Sequence, residues 1–82
     1  MLNLYLVKDL GRLTGLSVDT LKYYLKIGLI SEVGRSPETN FRYFDDSTVE
    51  RLNKIIGLRK QKYPIHKIKE VLNIKSGADE LL

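Results

Sequence analysis

Cysteine and tryptophan are absent from this chain of 82 residues, histidine and methionine occur once each, and proline occurs twice. Without cysteine there is no disulfide to staple the fold and no thiolate for redox or soft-metal chemistry. The single histidine, His66, has no cysteine or glycine-rich phosphate loop to act with. No catalytic constellation can be assembled from these residues, and neither a metal site nor a cofactor is expected. The longest apolar run, Leu4 to Val7, falls far short of the roughly 20 residues that span a bilayer. The segment opening at Met1 also lacks the basic start, long apolar stretch and small-residue cleavage site of a secretory signal. These absences lead to the expectation of a cytoplasmic protein, not an enzyme and with no membrane partner, whose stability comes from packing.

Hydrophobic residues make up 43% of the chain, enough for one small core. Fourteen Lys and Arg against ten Asp and Glu give a net charge of +4, a balance suited to a polyanionic partner. Turn signals at Gly15, Gly28, Gly34, Pro37 and Pro64 divide the sequence into short blocks.

In the first block, Val7, Leu10 and Leu13 recur at helical spacing before a tight turn at Thr14-Gly15-Leu16. Gly11 is costly inside a helix, and close approach of another helix would account for it. Ser17 then suits an N-cap and Asp19 suits the first turn of a second helix. That helix sorts its residues onto two sides. Val18, Leu21, Tyr24 and Leu25 make an apolar stripe, and Asp19, Lys22, Tyr23 and Lys26 make a polar, basic and aromatic one. Gly28 ends it. Two helices joined across a glycine-containing turn, the second capped by serine, match a helix-turn-helix.

Two β-prone stretches, Ile30 to Val33 and Phe41 to Phe44, flank the polar segment Gly34 to Asn40 and read as a hairpin. An isolated hairpin is marginal in water, so this one must lean on the helices. Asp45 or Asp46 can cap a third helix that buries Val49, Leu52, Ile55 and Ile56, while Leu58 falls on its polar side. Pro64 suits the first turn of a fourth helix, with Ile65, Ile68, Val71 and Leu72 as its apolar face. Lys60, Lys62, Lys67 and Lys69 read as a solvated face. The predicted fold is mainly α: four short helices with a two-stranded β-wing between the second and third. The domain is predicted over 1–74, and the tail 75–82 reads either as disordered or as the start of a further segment.

Several blocks carry a family likeness: Tyr5 through Ile30, within it Lys22-Tyr23-Tyr24 and Gly28-Leu29-Ile30, then Phe41-Arg42-Tyr43-Phe44, then Val49-Glu50-Arg51-Leu52 through Leu72. Their order and spacing resemble the N-terminal winged helix-turn-helix of MerR-type transcription regulators over residues 4–73. Three positions depart from the family pattern. Lys22 stands for the usual Arg, Leu25 for a common acidic residue, and Asn40 for the usual wing glycine.

The resemblance implies a cytoplasmic DNA-binding transcription regulator, associated with the nucleoid when bound. Its second helix, about 17–27, would enter the major groove of double-stranded DNA, and its wing, 31–44, would lie on the flanking phosphate backbone. The expected DNA-binding residues are Ser17, Val18, Thr20, Lys22, Tyr23 and Lys26 from the helix, with Arg35, Phe41, Arg42 and Tyr43 from the wing. Tyr24 is expected in the core, and Arg42 has the alternative of pairing with Asp45 or Asp46. The resemblance also implies a homodimer, formed through a segment not present in this chain. An excisionase-like or phage architectural DNA-binding protein and a MerR-like protein-binding adaptor are the alternatives.

Overall fold

Short amphipathic segments with defined caps become helices, and the polar segment between the second and third becomes the wing. A computed structural model describes residues 3–72. Its elements are α1 (Val7–Thr14), α2 (Val18–Lys26), β1 (Gly34–Arg35), β2 (Arg42–Tyr43) and α3 (Asp46–Lys60). A fourth helix, α4, covers residues 65–72. The expected domain boundary at 74 and the tail 75–82 lie outside the described residues. No helix among those described is long and apolar enough to cross a membrane.

The start of α1 is held by Asp9, whose carboxylate accepts from the Leu6 amide at 2.9 Å and from Arg12 at 2.7 Å. Gly15 ends it in a left-handed conformation, φ 79°. A side chain at Gly11 would meet the Leu16 carbonyl at 2.9 Å, with the Leu21 side chain next at 3.7 Å. The close approach at this glycine therefore comes first from the turn backbone and only then from the neighbouring helix. Ser17 caps α2, accepting from the Thr20 amide at 3.1 Å. This satisfies one of the amides that a helix start leaves without a partner.

Leu10, Leu21, Tyr24, Leu29, Ile30, Phe44, Leu52, Ile55, Ile68 and Leu72 form one buried cluster, with contributions from all four helices and from both ends of the wing. The face is narrower than helical periodicity predicts. Leu13 is 55% exposed, and Val18 and Val71 are also exposed. Helices of eight or nine residues present only about two turns to the core, and Leu10 of α1 with Leu21 and Tyr24 of α2 take the buried places. Leu58 departs in the opposite sense, packing against the cluster instead of facing solvent.

The wing is shorter than expected, and its first strand starts later. Ile30, placed in that strand by β-propensity, is 3% exposed and belongs to the core. Burying Leu29 and Ile30 together pulls the chain under the helices, so the ladder begins only at Gly34. Antiparallel pairing then sets Gly34 opposite Tyr43 and Arg35 opposite Arg42. The far end of the Tyr43 ring lies over Gly34, so a side chain there would have to push it aside. The tip turns through Asn40 at φ 61°, a conformation that asparagine tolerates better than most residues. Behind the ladder, Phe44 is fully buried and exchanges two backbone hydrogen bonds with Tyr5, at 2.7 and 2.8 Å. The N-terminal segment thus borders the hairpin and seats it on the core.

The two candidate caps of α3 divide their work. Asp45 is the cap, accepting from the Ser47 amide at 3.0 Å. Asp46 faces the N-terminal segment, accepting from the Tyr5 hydroxyl at 2.6 Å and the Asn3 side-chain amide at 3.2 Å. That hydroxyl is held to its proton, its pKa raised by the hydrogen bond to Asp46.

Two long-range cationic bonds close the end of α2. Lys69 Nζ donates to the Ile27 carbonyl and Arg51 Nε to the Leu29 carbonyl, each at 2.6 Å. Lys69 therefore leaves the solvated face predicted for it. Helix C-termini carry carbonyls without intrahelical partners and a partial negative charge, and both favour a cation.

Lys69→Met keeps the stem and removes the donor, and should cost about 1–2 kcal/mol in a urea titration. Tyr24 is 5% exposed and Tyr23 50%. Tyr24→Ala should therefore cost about 3–5 kcal/mol, and Tyr23→Ala less than about 0.5 kcal/mol, by thermal melting. Equal melting temperatures for the two tyrosine variants would contradict this packing.

Candidate nucleic-acid interface

The polar side of α2 stays free because its other side is consumed by the core. Lys22, Tyr23 and Lys26 are exposed, as are Ser17 and Val18 at the entering end. Thr20 is half-buried, and its hydroxyl accepts from Ser17 at 2.8 Å. Beyond Gly28, φ 78°, the chain turns back along α2, so the base of the wing faces the last turns of the helix.

This turn creates a concavity of about 570 Å³ lined by Lys22, Leu25, Lys26, Gly28, Ile30, Ser31, Glu32 and Arg42. Three of the expected residues, Lys22, Lys26 and Arg42, thereby meet around one space. Others lie elsewhere. Thr20 and Tyr23 line a separate groove of about 340 Å³ with Asp19, Tyr24, Arg59 and Ile65. Phe41 borders a third, of about 330 Å³, with Leu6, Val7, Lys8, Asn40 and Arg42. Arg42 borders two of the three concavities. Tyr43 is half-buried by its stacking over Gly34 and supports the wing from within.

Neither Asp45 nor Asp46 pairs with Arg42, since the first is occupied as a cap and the second by Tyr5 and Asn3. The partner is Glu32, whose Oε1 lies 3.3 Å from Arg42 Nε. Its other oxygen, Oε2, accepts from Arg35 Nε at 2.8 Å. Sequence reasoning missed this residue. The i,i+3 spacing of Glu32 and Arg35 was a visible signal, but its link to Arg42 depends on the hairpin register. Lys8 beside Phe41 and Arg42, and Arg59 beside Thr20 and Tyr23, were not singled out either, because only the packing of α1 and α3 brings them to those grooves. Among the described residues, no group of three or more His, Cys, Asp or Glu could hold a metal ion.

The model of the MerR HTH family of regulatory proteins matches residues 5–74. The chain belongs to the MerR helix-turn-helix family. It is 31% identical over 68 residues to the HTH-type transcriptional regulator CueR of Bacillus subtilis, a match covering 83% of this chain and 46% of that protein. It is 30% identical over 71 residues to the HTH-type transcriptional regulator ZntR homolog of Haemophilus influenzae, covering 87% and 52%. The crystal structure of a MerR-family transcriptional regulator from Bacillus cereus superposes with a TM-score of 0.80 at 17% identity, covering 85% of this chain and 52% of that one. These relatives are regulators, not enzymes, and the likeness of fold confirms the mainly α winged helix-turn-helix. The MerR-family chain spans about half the length of each. They favour neither the excisionase-like nor the adaptor alternative.

Within this MerR-family wing, the hydrogen bond from Arg35 does most to hold the Glu32 carboxyl below the usual glutamate range, with the charges of Arg35 and Arg42 adding to it. A folded-state pKa depressed in this way stabilises the wing above the unfolded-state pKa, and that contribution is lost as pH falls through the folded one. An NMR titration should find Glu32 ionising below an ordinary glutamate, and Arg35→Ala should return it toward the ordinary value.

Proposed function

We propose that this MerR-family chain is the DNA-reading head of a transcription regulator, with α2 in the major groove of double-stranded DNA and the wing on the flanking phosphates. The observation that carries this reading is the convergence of Lys22 and Lys26 on α2 with Arg42 on the wing around one concavity beside an exposed helix face. A helix and a hairpin set side by side in this way suit a major groove and the adjoining backbone strand.

Roles follow from chemistry and position. Lys22, Lys26 and Arg42 meet phosphates. Lys22 acts as a point charge, because an ammonium lacks the planar fork with which arginine grips two oxygens. Tyr23 projects from the same helix, one residue from Lys22, and its hydroxyl can reach a phosphate or a base edge. Ser17, Val18 and Thr20 lie at the end of α2 that enters the groove first, where base reading is expected. Thr20 and Ser17 already bond to one another, so Val18, exposed and apolar, is the residue suited to a thymine methyl. Asp19 serves the helix dipole rather than DNA. Phe41 at the wing tip packs against the sugar-phosphate edge beside Arg35 and Arg42, and Tyr43 holds the ladder beneath them.

In this reading the regulator works as a homodimer. That arrangement sets two heads about 34–36 Å apart on a two-fold site, and their linkage raises affinity through effective concentration.

Titration of random and promoter duplexes at several salt concentrations tests the reading. Binding should weaken linearly in log–log form, with a slope near −0.9 per neutralised phosphate. Lys22→Ala and Arg42→Ala should each make the slope shallower by about 0.9, with little change in melting temperature. Affinity that ignores salt, or that survives both substitutions intact, would refute it.

A further inference from the structure

Arg35 and Arg42 are direct register partners across a ladder only two residues long. Like charges directly opposite one another destabilise a hairpin, and a ladder this short has little pairing energy to resist them. Glu32 removes the conflict. It lies just before the ladder, and its two carboxylate oxygens divide between the arginines, 2.8 Å from one Nε and 3.3 Å from the other. Its side chain is 27% exposed against 43% for Arg35 and 46% for Arg42, so the acid sits beneath the two guanidiniums. It also lines the same concavity as Lys22 and Lys26.

A DNA phosphate offers what this carboxylate offers, two anionic oxygens at a spacing that guanidinium edges grip. We infer that Glu32 is an internal stand-in for a DNA phosphate, holding Arg35 and Arg42 in register in the free protein and giving up at least one of them when the backbone arrives. The inference rests on the DNA-binding reading above and adds a term to it. Each encounter with a duplex exchanges an internal counter-ion for an external one, so baseline affinity and its salt dependence are lower than the number of wing cations implies. The cleft carries Lys22, Lys26 and Arg42 against one acid, which leaves it attractive to DNA even with the acid in place.

Glu32→Gln keeps the shape and removes the charge. Fluorescence anisotropy of the full chain with a labelled random-sequence duplex, across a salt series, compares it with the wild type. Melting temperature and circular dichroism report the fold of each protein. The expected result is binding about three- to tenfold tighter than wild type at low salt, with a log–log slope steeper by about 0.9. A folded Glu32→Gln protein that binds equally or more weakly, at the wild-type slope, would overturn the inference and make Glu32 a mere prop for the arginines. Absence of salt-dependent binding by both proteins would instead bring down the DNA-binding reading and this inference with it. A second readout needs no variant: the Nε–H resonance of Arg35 or Arg42 in the wild type should shift as the duplex is added. Resonances for both arginines unmoved at saturation would overturn the inference even if Glu32→Gln failed to fold.

Discussion

The closing of α2 is the constraint on which the rest of the structure depends. After Lys26 the chain must leave a helix, reverse direction and enter a hairpin, and the carbonyls exposed on the way cannot be left unpaired in a half-buried joint. Lys69 and Arg51 satisfy those of Ile27 and Leu29, reaching in from α4 and α3 across 42 and 22 residues. Gly28 supplies the left-handed backbone that the reversal needs, and Leu29 and Ile30 drop into the core immediately after it. Helix, wing and the two supporting helices are thereby locked at one junction. The relative position of Lys22, Lys26 and Arg42 is a consequence of that junction.

The wing stands at the outer end of the same chain of dependence. Its two-residue ladder could not persist alone, and three unrelated interactions support it. Phe44 is sunk in the core and paired with Tyr5, the Tyr43 ring covers Gly34, and Glu32 neutralises the cross-strand arginines. The first is hydrophobic, the second steric and the third electrostatic. Only the third involves groups that a polyanion would also engage.

Much of the fold was legible because it rests on local rules. The Ser17 cap, the turn at Gly15, the period of α2 and the division of Tyr23 from Tyr24 all follow from residues within one or two helical turns of each other. The errors share one physical origin. Leu13, Val18 and Val71 have the right period, but which apolar residue wins a place in a small core depends on what the opposite element supplies. Ile30 has the propensity of a strand residue, yet burial beside Leu29 outweighs a ladder of two pairs. Lys69 reads as a solvated lysine until α4 is laid against the end of α2.

The sequence by itself determined the element order, the helix-turn-helix spacing, the family likeness and the two-sided character of α2, since caps, turns and periodicity act over a few residues. It also pointed to Lys22, Lys26 and Arg42 as expected cations of an interface. Only the tertiary structure decided that these three face one space, that Glu32 rather than Asp45 or Asp46 holds the wing arginines, and that Arg51 and Lys69 close α2. Those outcomes depend on strand register and on the packing of helices distant in sequence, and electrostatic pairing goes to whichever acid or carbonyl the folded chain brings within reach.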